Sequence, residues 1–276
     1  TTTTSSDANC DANADGDVTK PGTAGFIFET LQGYGGIHVL SNEYLQKMTK
    51  LVHQYGGLVI ADEIQTGLGR MGETFWAYEM SSIEPDIVIT AKGLGNGFPI
   101  SAIICKESIF SKFNSNNKFI FSTYGANAVS CAVGCTVIDI IQNNHIQQSC
   151  LKLGSLLQKM LLSIQTIFPY PYCLHVRGCG LMVGIELNVN IAYQIQEYLK
   201  NKNYLVGLGG SQKNVLRIMP PMCITADDLR NFADVLVMAM SEITGVQVPV
   251  NYSPYTVATH IPVCASESES ASTSAS

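Results

Sequence analysis

The fold of this chain is decided by one stretch, which reads Asp86-Ile87-Val88-Ile89-Thr90-Ala91-Lys92-Gly93-Leu94-Gly95-Asn96-Gly97. Residues 87–90 are all β-branched, which is typical of a strand buried in a parallel sheet. Lys92 follows that strand, and the glycines behind it let the backbone approach a ligand closely. The stretch therefore predicts an α/β fold with Lys92 at the carboxyl edge of a mostly parallel sheet.

The segments on either side supply further strands and a helix. Residues 24–29, 58–61 and 102–105 are short apolar runs that predict strands. Ser41 or Asn42 is the predicted cap of a helix that Gly56 and Gly57 end. Strands that alternate with helices predict parallel strands joined by crossover helices.

The second half of the chain predicts a smaller α+β unit. Residues 127–141 form a predicted small-residue helix against the sheet, and residues 147–164 a long amphipathic helix. Strands are predicted at 181–187 and 215–219, before a helix that Thr225 and Asp228 begin as a capping box. We thus expect tails at 1–23 and 251–276, a large domain at 24–165 and a small domain at 166–250.

Composition excludes several classes of function. The net charge is −6 and no cluster of basic residues is present, so nucleic acid is not expected as a partner. Apolar runs such as 58–61 and 100–105 are far shorter than the roughly 20 residues of a membrane span. Residues 1–23 lack the features of a secretory or mitochondrial targeting peptide. No histidines pair at the spacing of metal ligands, so no metal site is expected.

Two side chains at the predicted sheet edge can carry chemistry. Asp62 directly follows the strand at 58–61, and Lys92 follows the strand at 87–90 after one intervening residue, Ala91. Ligands of open α/β sheets bind at this edge. A partly desolvated lysine can attack an aldehyde, and an aspartate can hold a protonated pyridine nitrogen. The pair therefore points to a pyridoxal site.

Other interpretations of these residues remain open. Asp62 can be a turn or cap residue, and Lys92 a solvated loop lysine. Gly67, Gly69 and Gly72 match the glycine pattern of a dinucleotide-binding turn. That turn starts directly at the end of its strand, whereas residues 62–66 intervene here, so a dinucleotide site is the weaker alternative.

Several segments between residues 24 and 245 form one pattern of fixed order and spacing. They are Ala61-Asp62-Glu63-Ile64-Gln65-Thr66-Gly67-Leu68-Gly69-Arg70, Ala91-Lys92-Gly93-Leu94-Gly95-Asn96-Gly97-Phe98-Pro99, Glu29-Thr30-Leu31-Gln32-Gly33, Phe75-Trp76, Ser122-Thr123-Tyr124-Gly125-Ala126-Asn127, Val176-Arg177-Gly178 and Leu216-Arg217-Ile218-Met219-Pro220-Pro221. In these segments the chain resembles the class III, ornithine-type aminotransferases. Within that family it is most similar to the alanine–glyoxylate aminotransferase 2 branch, and the ethanolamine-phosphate phospho-lyases are a competing branch.

The resemblance implies a fold type I enzyme dependent on pyridoxal 5'-phosphate, and it implies roles at the cofactor. Lys92 would form the Schiff base and move the substrate proton, and Asp62 would pair with the pyridine nitrogen. Gln65 would lie by the ring oxygen. Thr123, at the start of a helix, would reach the cofactor phosphate of a neighbouring subunit, which implies a homodimer or homotetramer.

The resemblance also implies a substrate site and a location. Arg217 would hold the substrate carboxylate through two parallel hydrogen bonds, and Glu29 would neutralise Arg217 when the substrate differs. Arg70 and Arg177 are either substrate or structural arginines. Mitochondrial location follows from the resemblance alone, with a cytoplasmic location as the alternative.

One part of the family pattern is missing from this sequence. The family has a long segment before the position of Ala24 that supplies further strands, the phosphate-binding loop and the ring stacked on the pyridine. Thr30 also stands where the family usually has proline. We therefore expect the large domain to be partial, and an inactive fragment of the family is a third possibility.

Overall fold

The computed structural model of this chain describes residues 22–115 and 121–255. The predicted tails, 1–23 and 251–276, lie almost entirely outside the described residues. The strands are β1 (Gly25–Phe28), β2 (Leu31–Gln32), β3 (His38–Val39), β4 (Leu58–Asp62), β5 (Ile87–Thr90), β6 (Ala102–Cys105), β7 (Cys173–Cys179), β8 (Met182–Leu187), β9 (Gly207–Gly209) and β10 (Val215–Ile218). The α-helices are α1 (Asn42–Gln54), α2 (Glu107–Ser115), α3 (Ala128–Asn143), α4 (Ile146–Ile167), α5 (Val189–Asn201) and α6 (Ala226–Thr244), and short 3-10 helices span Ala77–Ser81 and Lys92–Gly95.

The first sheet has the strand order β1-β4-β5-β6. β1 pairs with β4 in parallel, and β4 pairs with β5 in parallel. β6 pairs antiparallel to β5, which departs from the crossover connection expected at this strand but leaves the sheet mostly parallel, as predicted. The direction differs because residues 92–101, between β5 and β6, turn the chain back without a crossover α-helix.

Helix α1 begins and ends as its sequence predicts. Ser41 is the cap, and its hydroxyl accepts a hydrogen bond from the Tyr44 N–H at 3.2 Å. The buried face of α1 includes Leu45 and Val52, which pack with Phe28 and Val59 of the sheet. Gly56 follows the helix with φ of 72°, a left-handed conformation that glycine adopts readily.

The second sheet has the order β7-β8-β10-β9, and its neighbouring strands are antiparallel. β8 forms where a strand is predicted at residues 181–187, and it is buried along nearly its whole length. Helices α4, α5 and α6 share one hydrophobic core with this sheet. β7, β9 and α5 were not predicted from the sequence.

Helix α6 confirms the predicted capping box. The Thr225 hydroxyl accepts from the Asp228 N–H, and the Asp228 carboxylate accepts from the Thr225 N–H at 3.1 Å. The buried face of α6 includes Leu229 and Leu236, which lie in the core of the second sheet. The cap therefore fixes the end of a helix that supports the sheet carrying β10.

Helix α3 forms at the predicted place but does not pack where predicted. Asn127 caps it, and Ser130, Gly134 and Ile141 are its buried residues. Gly134 faces Ile100 and Leu94, so the helix rests on the turn that follows β5 and not on a sheet face. It contacts α4 as well. The small residues therefore bring α3 close to the turn that begins with Lys92.

Two features join the sheets. The hairpin of β2 and β3 follows β1 in the chain and contacts β7 of the second sheet. Helix α4 contacts α3 on one side and β7, β8 and α6 on the other. At Gly154 of α4, an added Cβ would lie 2.4 Å from the Gly180 carbonyl carbon, so helix and turn are in close contact. None of the described helices is both long and apolar enough to cross a membrane.

Candidate active site

Lys92 lies at the carboxyl end of β5, as the sequence predicts. It is the first residue of the 3-10 helix Lys92–Gly95, and its φ is 42°. This left-handed conformation is uncommon outside glycine and is concentrated at functional sites in proteins. The side chain is exposed in this structure, so the partial desolvation expected from the sequence is not present.

Asp62 ends the neighbouring strand, β4, and lies opposite Ile89 in the register. Asp62 Oδ1 accepts a hydrogen bond from the Ile64 N–H at 3.1 Å, which is the turn role considered as an alternative. Oδ2 has no hydrogen-bond partner among the described residues. Asp62 can therefore hold its turn with one oxygen and offer the other to a ligand.

A cavity of about 110 Å³ lies beside the lysine. Its walls come from the loop after β4, the turn after β5, helix α3 and the segment after β10. Asp62 and Arg217 are not in its lining. The lining residues are Ile64, Gln65, Gly67, Leu68, Arg70, Lys92, Gly93, Ile141, Met219 and Met222.

Gln65 connects this cavity to the second sheet. Its Oε1 accepts a hydrogen bond from Nη2 of Arg217 at 3.1 Å. A Cβ at Gly33 would lie 2.8 Å from Gln65 Nε2, so the β2–β3 hairpin packs against the same side chain. Gln65 thus brings Lys92, Arg217 and the hairpin into one neighbourhood.

Arg217 lies on β10 and has no carboxylate partner among the described residues. Besides Gln65, its Nη2 contacts Met219 Sδ at 3.4 Å, and the Tyr34 ring centroid lies 5.6 Å from its Cζ. Nε is buried without a hydrogen-bond partner. A buried guanidinium N–H without an acceptor is costly, so this cation is suited to binding an anion.

No hydrogen bond or ion pair among the described residues joins Glu29 or Thr123 to Arg217 or Lys92. Glu29 Oε2 accepts from the Gly33 N–H at 3.1 Å, within the hairpin, and does not pair with Arg217. Thr123 is exposed in a turn at 123–126. Because Asn127 caps α3, Thr123 precedes the helix and does not begin it, which corrects the prediction.

Glu63 has a structural role in this region that was not predicted from the sequence. It is 1% exposed and accepts hydrogen bonds from Thr66 Oγ1 at 2.7 Å and from the N–H groups of Ala77 and Tyr78 at 3.1 and 2.9 Å. Burial raises the pKa of its carboxyl, although the three donors oppose the rise. Glu63 fixes the loop that carries Gln65. Its only signal in the sequence is its place beside Asp62.

The two undecided arginines have structural partners. Arg70 Nη1 donates to the carbonyls of Leu181 at 3.2 Å and Pro220 at 2.9 Å, and burial lowers the pKa of its guanidinium. Arg177 pairs with Glu186, and its Nε donates to the Gly36 carbonyl at 2.9 Å. Arg70 also lines the cavity beside Lys92, so it combines a structural role with a place at the site.

The dinucleotide alternative is wrong. Gly69 and Gly72 have φ of 80° and 81°, and no α-helix starts directly after them, since the next element is the short 3-10 helix Ala77–Ser81. A Cβ at Gly72 would lie 2.5 Å from the backbone nitrogen of Leu151, so this glycine admits helix α4 and not a pyrophosphate. In the described part of the chain, no group of three or more His, Cys, Asp or Glu side chains is arranged to hold a metal ion.

Comparison with known proteins supplies the wider context. A model of the family described as aminotransferase class-III matches residues 5–240. The mitochondrial alanine–glyoxylate aminotransferase 2 homolog 2 of Arabidopsis thaliana is 38% identical over 226 residues, which cover 79% of this chain and 46% of that relative. The chain spans about half the length of the curated relatives it matches.

Solved structures agree with that match. A phospholyase from Arthrobacter in complex with phosphoethanolamine superposes with a TM-score of 0.75 at 28% identity, covering 80% of this chain and 54% of its own. The ornithine aminotransferase of Toxoplasma gondii, described with partial occupancy of pyridoxal phosphate (PLP) at its active site, has a TM-score of 0.73 at 26% identity, with 80% and 51% coverage. The fold is that of the fold type I enzymes.

Proposed function

The chain belongs to the class-III aminotransferase family, and from that premise we propose that it transfers an amino group from an amino donor to a small keto acid, such as glyoxylate or pyruvate. PLP is the cofactor of this family. The observation that carries the proposal is the position of Lys92, which closely follows the carboxyl end of β5 and borders the same cavity as Gln65 and Arg70.

The side chains at this edge fit the cofactor. They offer an amine at Lys92, a carboxylate oxygen without a partner at Asp62 and an amide at Gln65. When bound, PLP supplies a pyridine ring that stabilises negative charge at the α-carbon of the substrate. We assign Lys92 to bonding the cofactor aldehyde and moving the α-proton, and Asp62 to holding the proton at the ring nitrogen. Gln65 is assigned to the ring oxygen.

Arg217 is assigned to the substrate carboxylate. Its planar guanidinium can donate two parallel hydrogen bonds, and the described residues give it no carboxylate of their own. Glu29 is the acid that would neutralise Arg217 when a second substrate brings no carboxylate there. This exchange would require Glu29 to leave the Gly33 N–H that it accepts from in this structure.

The proposed assembly follows the same family assignment. We assign Thr123 to the cofactor phosphate of a neighbouring subunit in a homodimer or homotetramer, and its exposure leaves it accessible to one. The proposed domains are 24–165, a partial cofactor-binding domain, and 166–250, the small domain. A mitochondrial location is suggested by the name of the Arabidopsis relative, and the alternative is cytoplasmic.

Cofactor titration followed by borohydride reduction tests the assignment of Lys92. We expect the purified chain to gain the visible absorbance of lysine-bound PLP and reduction to label the peptide that contains Lys92. Lys92→Ala should abolish both signals, because Lys92 is the lysine at the end of β5. Lys152→Ala, which changes an exposed lysine of α4, is the matched control. Labelling that persists in Lys92→Ala would exclude the assignment.

Two alternatives are separated by their products. The solved Arthrobacter phospholyase favours a second function, the elimination of phosphate from ethanolamine phosphate. Release of inorganic phosphate without consumption of a keto acid would establish that function and overturn transamination. The third possibility, an inactive fragment, has its support in the half-length match. It predicts no labelling and no turnover with either substrate.

A further inference from the structure

The tip of the β2–β3 hairpin lies against Arg217. The centroid of the Tyr34 ring is 5.6 Å from Cζ of Arg217, within the range of a cation–π contact. The Tyr34 carbonyl accepts a hydrogen bond from the Gly210 N–H at 3.1 Å, just beyond strand β9. The ring therefore meets the proposed carboxylate-binding cation from a different segment than Gln65 does.

The tip is held in place on both sides. Glu29 Oε2 accepts from the Gly33 N–H at 3.1 Å, and Arg177 donates from Nε to the Gly36 carbonyl at 2.9 Å. Ile37, which follows the tip, is fully buried. The backbone at Tyr34 is thus fixed by contacts that do not involve its own side chain.

The Tyr34 side chain itself contributes little to packing. It is 69% exposed and belongs to no hydrophobic core of the described residues. Proteins expose single aromatic rings commonly, but the centroid of this ring lies 5.6 Å from Cζ of a guanidinium whose Nε is buried without an acceptor. A functional role of the Tyr34 side chain would therefore depend on its position beside Arg217.

We propose that Tyr34 is a specificity-determining residue that covers one face of the Arg217 guanidinium and favours small, unbranched carboxylates. A guanidinium binds a carboxylate through its edge, in the plane of its N–H groups. The Tyr34 ring on one face and the hydrogen bond from Nη2 to Gln65 fix the plane of the Arg217 guanidinium. A substrate that carries a branched group next to its carboxylate would therefore collide with the Tyr34 ring. The inference deepens the proposed function and rests on it.

The test uses the purified chain, three test and control variants, and a fourth variant, Arg217→Gln, that serves only to assign a signal. Y34A removes the ring, and Y34F retains it. Tyr193→Ala removes a tyrosine of α5 that is 64% exposed and is the matched control. Because the hairpin tip is held by backbone contacts and the Tyr193 side chain is largely exposed, we expect Y34A, Y34F and Tyr193→Ala to fold, which the amide spectra will show.

The first readout is the arginine Nε–Hε region of the NMR spectrum, where four arginines of the sequence contribute. The Arg217 signal is assigned from its loss in Arg217→Gln. We expect Y34A to shift this signal, since the ring current is lost, and Y34F to keep it. A signal at the same position in Y34A and the unsubstituted chain would overturn the inference, whatever the catalytic activity.

The second readout is the affinity for pyruvate and for its branched analogue 3-methyl-2-oxobutanoate. We expect Y34A to weaken pyruvate binding about two- to five-fold and to reduce the preference for pyruvate over the analogue. Y34F should restore both values, and Tyr193→Ala should leave them unchanged. Unchanged affinity and preference in Y34A would overturn this inference alone. No pyruvate binding by the unsubstituted chain would overturn the proposed role of Arg217 and this inference with it.

Discussion

At the scale of single residues, the geometry of Arg217 predicts the effect of a conservative substitution. Lysine keeps the charge but cannot reproduce a planar pair of N–H groups, and it would lose the contact with Gln65 Oε1. We expect Arg217→Lys to raise the KM for carboxylate substrates about ten- to a hundredfold, because charge-assisted hydrogen bonds contribute about 1.5–3 kcal/mol. Steady-state kinetics measures the effect, with Arg230→Lys, at a partly buried arginine of α6 remote from the cavity, as the control. An unchanged KM would favour the phospho-lyase alternative.

At the scale of elements, Arg70 connects the loop after β4 to the second sheet through hydrogen bonds from its guanidinium. Lysine at this position has one nitrogen and cannot hold the carbonyls of Leu181 and Pro220 in the same geometry. We expect Arg70→Lys to lower the free energy of unfolding by about 1–3 kcal/mol. Hydrogen exchange should quicken at the Leu181 N–H, which donates to the Arg70 carbonyl, while the amides of α6 stay protected. Equal hydrogen-exchange protection of the Leu181 N–H in Arg70→Lys and in the unsubstituted chain would show that the Arg70 side chain does not hold the loop to the second sheet.

Elements that are determined by neighbouring residues could be predicted from the sequence, whereas elements that depend on contacts with distant segments could not. The end of β5, the Ser41 cap and the Thr225 capping box were all predicted, because each uses neighbouring residues. Strand β9 was missed because it is short, glycine-rich and stabilised by pairing with β10. The antiparallel direction of β6 was missed because periodicity carries no information on direction.

In the candidate site, too, the residues that are placed by local sequence could be predicted, and those that are placed by distant contacts could not. Lys92 and Asp62 were placed correctly at adjacent strand ends, since strand ends can be predicted from the sequence. The role of Gln65 as a link to Arg217 was not predicted, because the two residues are far apart in the chain. The cap of α3 at Asn127, which leaves Thr123 outside the helix, required the backbone itself.

At the scale of the whole molecule, stability should depend on pH through Asp86. Asp86 is 8% exposed, and burial opposes its ionisation. Hydrogen bonds from the Val59 N–H, His53 and Lys106 outweigh burial and hold the pKa of its carboxyl below the usual value. A depressed pKa gives stability that is present above the unfolded value, about pH 4, and is lost as pH falls through the folded value.

We therefore expect Asp86→Asn to lower the free energy of unfolding by about 1–3 kcal/mol at pH 7, with the difference shrinking below about pH 4. Urea unfolding at a series of pH values measures it. Asp227→Asn, which changes an exposed carboxylate of α6, is the control and should have little effect. A deficit in Asp86→Asn that is independent of pH would contradict the electrostatic explanation.

The contact between Gly154 and Gly180 has a consequence for how this chain can vary over evolutionary time. Alanine is the better helix former by about 1 kcal/mol, so local preference alone would drive position 154 away from glycine. Yet a Cβ there would lie 2.4 Å from the Gly180 carbonyl carbon, and one at Gly180 would lie 2.4 Å from the Arg70 carbonyl oxygen. Neither glycine can therefore be replaced by a larger residue unless its neighbours also change. The three segments that meet there, from both halves of the chain, are bound to change together or not at all.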